Sequence, residues 1–293
     1  MQSLENLKKK IKTAQDLLSV VRTMKSLAAV NIRQLEEAVA SLEEYSRTVA
    51  LGWQALFRSH DRLAPAARAD SQEICLVFGS DQGMCGGFNE AIAETALAHA
   101  GQRTSEDVKT VFWTVGERVR GGIEDGGGVV REHFHLPGGL AGITGQVGEM
   151  VQGFEAWQRE SGGETLRLFF NRLIRGRGYE PGMSRILPLD AAWQERYRKE
   201  KWPGRCLPLP GLSHTDIFRH LFREHLFISF YQAFAQSMAS ENAARLRAMQ
   251  AAEKNIGELE ADLQGEFRET RQNTITAELL DIISGFEAIS EED

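Results

Sequence analysis

Little in this chain of 293 residues is suited to covalent or metal bracing. It has three cysteines, Cys75, Cys85 and Cys206. The count is odd and the spacings fit neither a zinc site nor a redox pair, which argues against disulfides as what holds the fold. The seven histidines are scattered. His133 and His135 stand two apart in an expected strand, and His220 and His225 lie on an apolar helix. None shows metal-ligand spacing with a supporting acid, so no metal site is expected. No apolar run approaches the ~20 residues that span a bilayer. The opening Met1-Gln2-Ser3-Leu4-Glu5 lacks the n-region and apolar h-region of a signal peptide, so the expected compartment is the cytoplasm or an equivalent. There is no proline before Pro65 and no glycine before Gly52, so nothing interrupts a helix at the start. A net charge of -7 argues against generic nucleic-acid binding.

What is present is a long apolar stripe. Positions 4, 7, 11, 14, 18, 21, 25, 28, 32, 35, 39, 42, 46, 49, 53 and 56 alternate spacings of three and four, and only Lys25 and Ser46 among them are not apolar. A heptad stripe so sustained predicts a coiled-coil helix over residues 1–57, ~80 Å long. From Ser213 to Phe286 proline is again missing, and glycine occurs only at 257, 265 and 285. Met249, Ala252, Ile256, Leu259, Leu263 and Phe267 form a stripe there, continued more weakly by Thr270, Thr274, Ala277, Leu280 and Ile283. A second helix is predicted over 213–287, exceeding ~100 Å. Its part from Ile217 to Met238 is apolar on more than one face, which calls for packing beyond one partner helix. Residues 1–33 carry seven basic against two acidic side chains, and residues 241–293 five against thirteen. The two ends are thus complementary, as antiparallel pairing of the two helices requires.

Residues 70–210 have a different texture. Strands are predicted at Glu73–Phe78, Lys109–Val115, near Val129–Phe134 and at Thr165–Phe170, with a late or edge strand at Arg185–Leu189 given its proline. Helices are predicted from Asn89 to Leu97 and from Gly145 to Arg159. Residues 191–211 read as a polar loop. The alternation implies a Rossmann-like α/β domain with a mostly parallel sheet, so the fold class is α/β with a long antiparallel coiled coil of the terminal helices.

Between the first strand and its helix lies Gly79-Ser80-Asp81-Gln82-Gly83-Met84-Cys85-Gly86-Gly87-Phe88-Asn89. Phosphate loops occupy that place, because backbone N–H groups and a helix N-terminus favour anions. The glycines do not fit G-x-G-x-x-G, and no Lys-Ser/Thr follows. The plainer reading is a turn with several unusual backbone angles, capped by Asp81 or Asn89. Cys85 has no base beside it in sequence to make it a nucleophile.

Together these features resemble one family, the γ subunits of F-type rotary ATP synthases. Met24-Lys25-Ser26-Leu27-Ala28-Ala29 is similar to the family's Met-Lys-x-Val-Ala-Ala. The loop Ser80 to Asn89 resembles Ser/Thr-Asp-Arg-Gly-Leu-Cys-Gly-Gly-Leu/Phe-Asn. Ser240-Glu241-Asn242-Ala243-Ala244-Arg245-Leu246-Arg247-Ala248-Met249 and the segment Thr270 to Gly285 resemble its two carboxy-terminal motifs. The resemblance spans the chain in the right order. Gln82 stands where an arginine is common, Val30-Asn31 where Ala-Lys is common, and Ala277 where a glutamine is common. These departures point to a divergent branch, such as the subunit of a second, alternative ATPase.

The resemblance implies a non-catalytic central rotor shaft, with no cofactor. Its implied partners are three catalytic and three non-catalytic ATPase subunits, a small ε-type rotor subunit and the membrane ring of ion-carrying subunits, with one copy per complex. The place implied is peripheral, on the cytoplasmic face of a prokaryotic inner membrane. The implied rotor–stator contacts are Met24, Lys25, Asp81, Cys85, Arg245, Gln272, Thr276 and Glu278. Without it, Arg245 and Glu278 read as a solvated coiled-coil face or an intramolecular ion pair, and Lys25 as a core-edge lysine with its ammonium in water. Plastid relatives carry a paired-cysteine switch where this chain has Cys206 alone, which argues against thiol control. Two other readings stay open from the residues themselves: an α/β enzyme binding nucleotide at Gly83–Gly87, and a free-standing coiled-coil scaffold.

Overall fold

A computed structural model describes residues 3–59, 72–104, 108–162, 165–174, 178–189, 191–208 and 211–290. The expected domain boundaries at residues 70 and 210 lie outside these. In chain order the elements are α1 (Leu4–Ser59), β1 (Glu73–Phe78), α2 (Phe88–Thr104), β2 (Thr110–Val115), α3 (Glu117–Asp125), β3 (Val130–Phe134), α4 (Leu140–Ser161), β4 (Thr165–Ile174), β5 (Gly178–Leu187), α5 (Ala191–Lys199) and α6 (His214–Ser290). The chain divides into two compact units, residues 1–27 with 246–293, and residues 28–245.

The burial of α1 follows the seven-residue period. Leu7, Ala14, Val21, Ala28, Leu35, Leu42, Val49 and Leu56 are all buried, while positions 4, 11, 18, 25, 32, 39 and 46 are half-buried. One row of the heptad thus sits at the seam and the other at its edge. α1 starts at a capping serine, whose Oγ accepts from Asn6 N at 3.3 Å. α6 starts at a reciprocal cap: Asp216 N donates to Ser213 Oγ at 3.2 Å, and that hydroxyl donates to Asp216 Oδ2 at 2.6 Å.

In the first unit, the start of α1 and the end of α6 run antiparallel. Gln15 Nε2 donates to Glu260 Oε1 at 2.8 Å, and Arg22 Nε to Glu253 Oε1 at 3.0 Å. Met249 and Leu263 are the buried apolar residues on the α6 side. Carrying this pairing along places Leu4 opposite the region of residue 271. Past that point Leu7 still borders one groove with Asn273, Thr274 and Ala277, but residues 271–284 are all exposed. The weaker apolar continuation expected at Thr274, Ala277, Leu280 and Ile283 is therefore an uncovered surface rather than a seam.

Arg22 and Lys25 both reach Glu253, Lys25 Nζ at 2.5 Å from Oε2. These two cations hold its carboxyl below the usual carboxylate value. A depressed value adds stability above the unfolded-state pKa, and that stability is lost as pH falls through the folded value. Glu253→Gln is therefore expected to lower the melting temperature slightly at pH 7 and not at pH 3. Paired melts at the two pH values check this, and an equal difference at both would contradict it.

The second unit is built on a sheet of order β3-β2-β1-β4-β5. β1 pairs parallel with β2 and β4, β2 with β3, and β4 antiparallel with β5. Alternation sorts β1 onto two faces. Ile74, Leu76 and Phe78 join Trp113, Leu168, Phe154 of α4 and Phe230 and Phe234 of α6 in the larger core. Cys75 and Val77 join Ile92 of α2, Val119 and Ile123 of α3, and Phe169 on the other face. The unit is thus three-layered, helix–sheet–helix.

Two expectations need correction here, and one helix is an addition. β5 begins at Gly178 and not at Arg185. It contains Pro181, but among the described residues β5 pairs on one side only, and an edge strand can leave proline's missing donor facing away from the ladder. It ends at Leu187, just before Pro188. The region 191–211 opens with the helix α5, because Trp193 and Tyr197, four residues apart, share one helix face. Trp193 packs edge-on against Trp53 and Phe57 of α1, at centroid distances of 5.1 and 5.7 Å. α3 was not anticipated at all. Gly121-Gly122 weakens the helical pattern, yet Val119 and Ile123 are fully buried on one face, and a Cβ at Gly122 would lie 3.3 Å from that of Ala93.

Candidate functional site

The glycine loop after β1 is closed on itself. Gly79 is required because a Cβ there would lie 2.3 Å from Val119 Cβ and 2.8 Å from Asn89 Oδ1. Ser80, fully buried, donates its N–H to Asn89 Oδ1 at 2.9 Å and its hydroxyl to Gln82 O at 2.8 Å. Asn89 Nδ2 donates to Ser80 Oγ at 2.9 Å. Met84 and Gly86 adopt φ of 61° and 62°, the unusual angles that the turn reading requires. Asp81 ties two neighbouring segments: Oδ1 accepts from Glu117 N at 2.9 Å, capping α3, and Oδ2 accepts from Leu136 N, after β3, at 3.0 Å.

Cys85 is 2% exposed and packs with Phe88 and Ala244 of α6. Its Sγ lies 3.7 Å from Ser80 Oγ and 3.6 Å from Asn89 Nδ2. Burial pushes its pKa up, so the group is a packed thiol and not a nucleophile. Next to Ala244, Arg245 Nη2 is 2.5 Å from Glu241 Oε1, with side chains 13% and 9% exposed. Burial raises the Glu241 carboxyl against the opposing pull of Arg245. The structure therefore brings Asp81, Cys85 and Arg245 together in the second unit, with polar groups satisfied inward.

The remaining predicted residues belong to the first unit. Met24 and Lys25 are half-buried, and Lys25 is committed to Glu253. Gln272, Thr276 and Glu278 are exposed on the uncovered end of α6. Thr276 Oγ1 donates to Gln272 O at 2.9 Å within the helix. Around them Ile275, Leu279, Leu280, Ile282 and Ile283 are 46–59% exposed, an apolar concentration unusual for a solvated helix end.

Sequence reasoning missed two clusters, because each is assembled from separate elements. Glu73 is fully buried, with Arg167 Nε at 2.5 Å from Oε1, and His99 Nε2 and Arg103 Nε at 3.3 and 3.5 Å from Oε2. The second cluster supplies the acid that the histidine pair lacked in sequence. Glu117, at the start of α3, places Oε1 3.2 Å from His133 Nε2. The candidate ligand atoms of Glu117, His133 and His135 lie within 4.8 Å of one another. By contrast, His225 is a core residue: burial between Trp53 and Trp193 pushes its pKa down to about 4.

A family model described as ATP synthase matches residues 3–289. Among curated proteins, the chain is similar to the ATP synthase gamma chain of Geotalea uraniireducens, 26% identical over 99% of both chains. It is 27% identical to that of Geobacter metallireducens, also over 99% of both. Among solved structures, the rotor of the Euglena gracilis mitochondrial ATP synthase shares the fold. The TM-score is 0.62 at 15% identity, covering 93% of this chain and 98% of that one.

Proposed function

The chain belongs to the ATP synthase γ family, and from that premise we propose how this shaft meets its stator. It is a non-catalytic subunit, the central rotor shaft of a rotary ATP synthase. It is peripheral to the membrane, and among the described residues no helix is long and apolar enough to cross one. Its partners are the catalytic hexamer, the ε-type rotor subunit and the membrane ring. The shaft works by presenting a different face to each catalytic subunit, so that rotation cycles the three sites through different nucleotide states. Three segments divide the work: residues 1–57 and 213–287 as the stiff pair, and 70–210 as the foot on the membrane ring. The membrane face is the cytoplasmic face of a prokaryotic inner membrane.

The observation that carries this reading is the end of α6. Five exposed aliphatic side chains between Ile275 and Ile283 face no residue of α1, and burying such surface is worth about 25 cal/mol per Å². An apolar sleeve at the centre of the hexamer supplies that burial and still lets the helix turn, since aliphatic contacts are non-directional. Gln272, Thr276 and Glu278 sit on the same stretch and provide the polar contacts to the catalytic subunits. Met24 and Lys25 contact those subunits from α1. Asp81, Cys85 and Arg245 act by shaping the loop that approaches them.

Glu278→Lys tests the assignment, because Glu278 is exposed and its reversal leaves the isolated chain's melting temperature unchanged. Multi-site ATP hydrolysis by the reconstituted complex is expected to change at least fivefold, about 1 kcal/mol of coupling. Unaltered hydrolysis with full incorporation would remove Glu278 from the contact.

A further inference from the structure

We propose that Glu117, His133 and His135 form a binding site for a transition-metal dication of the Zn2+ class, at the carboxyl ends of β2 and β3. Two imidazoles and one carboxylate are a donor set that suits such ions and leaves further positions for water. At Zn–N and Zn–O lengths of about 2.0–2.2 Å, a tetrahedral ion needs ligand atoms roughly 3.4 Å apart. Glu117 Oε1 and His133 Nε2 already stand at 3.2 Å. The third ligand, His135, is exposed and within 4.8 Å of both, so a side-chain rotation completes the triangle.

The half-buried His133 has one ring nitrogen held and the other open. His133 Nδ1 lies 3.0 Å from Thr114 Oγ1, itself fully buried. Such an outer contact fixes the orientation of a metal-binding imidazole. Its Nε2 is buried and makes no hydrogen bond, although the Glu117 carboxylate is beside it. The two histidine rings meet edge-on at a centroid distance of 4.9 Å, which aims their nitrogens differently. Asp81 supports both carriers, holding Glu117 N and Leu136 N on one carboxylate. A neighbouring cation is Arg120, whose Nε is on Glu124 at 3.0 Å and whose Nη1 is 4.0 Å from Glu117. An ion at this place would clasp the start of α3 to the end of β3, over the loop that carries Asp81.

The test uses the full chain with Cys206→Ser, which removes the exposed thiol as a competing ligand. The chain is stripped with chelator and titrated with Zn2+ in a calorimeter, with millimolar Mg2+ present. Co2+ is then used for its visible absorption. One equivalent of Zn2+ is expected, with His135→Ala and Glu117→Gln each weakening binding at least tenfold. Both residues are exposed, so metal-free melting temperatures should match the parent and certify folding. Absence of saturable one-to-one binding, or binding that both variants retain unchanged, would overturn the site.

Discussion

Gly116→Ala is expected to destabilise the protein by about 3 kcal/mol or more. Gly116 links β2 to α3 with φ of 102°, a region nearly closed to residues with a Cβ. Space is also missing. A Cβ there would lie 2.8 to 2.9 Å from Ser80 N, C and O, and backbone atoms cannot swing aside as a side-chain tip can. The close approach is itself hydrogen-bonded, with Arg118 N donating to Ser80 O at 2.9 Å. Relief by moving β1 away from α3 would therefore break the contact that aligns Asp81 with Glu117. Denaturant unfolding of the variant measures the loss, and a change under 1 kcal/mol would mean that the junction is softer than its geometry indicates.

Glu73→Ala is expected to cost about 3 kcal/mol, the low end for breaking a buried ion pair. The carboxylate is fully buried and faces Arg167, Arg103 and His99, while those partners keep 16%, 27% and 14% of their side-chain surface exposed. Removing the acid leaves two guanidinium groups without their shared counter-charge beside the small apolar core. The partial exposure of the arginines lets water recover some of the loss, which is why the upper end of the range does not apply. Glu73→Gln should cost less, since it keeps the shape and two acceptor lone pairs. Equal losses for the two variants would assign the whole effect to the charge, and a negligible loss for Glu73→Gln would assign it to packing.

The coiled coil was legible because its signal is local and repeated. Each turn of α1 restates the period, and burial at positions 7 through 56 follows it. β1, β2 and β4 were legible as continuous apolar runs, buried on both faces. The elements that were missed depend on neighbours the sequence does not name. α5 is a helix because Trp53 and Phe57 offer Trp193 a surface. β5 tolerates Pro181 because no described strand pairs beyond it. The glycine loop was read correctly as a turn with unusual backbone angles, but the partners of Asp81, Glu117 N and Leu136 N, come from the start of α3 and the segment after β3. The histidine pair looked inert for the same reason, since its acid arrives from α3. Sequence patterns report periodicity along one element, whereas charge clusters report which elements the sheet order brings together.

The most direct test of the shaft is reconstitution. The purified chain is mixed with the catalytic and non-catalytic ATPase subunits of its own organism, and incorporation and multi-site ATP hydrolysis are measured with and without it. Stoichiometric uptake of one chain per hexamer, with altered turnover that is lost when α6 is cut back before Ile275, is the result this account predicts. A hexamer that assembles and turns over identically without taking up the chain would contradict it.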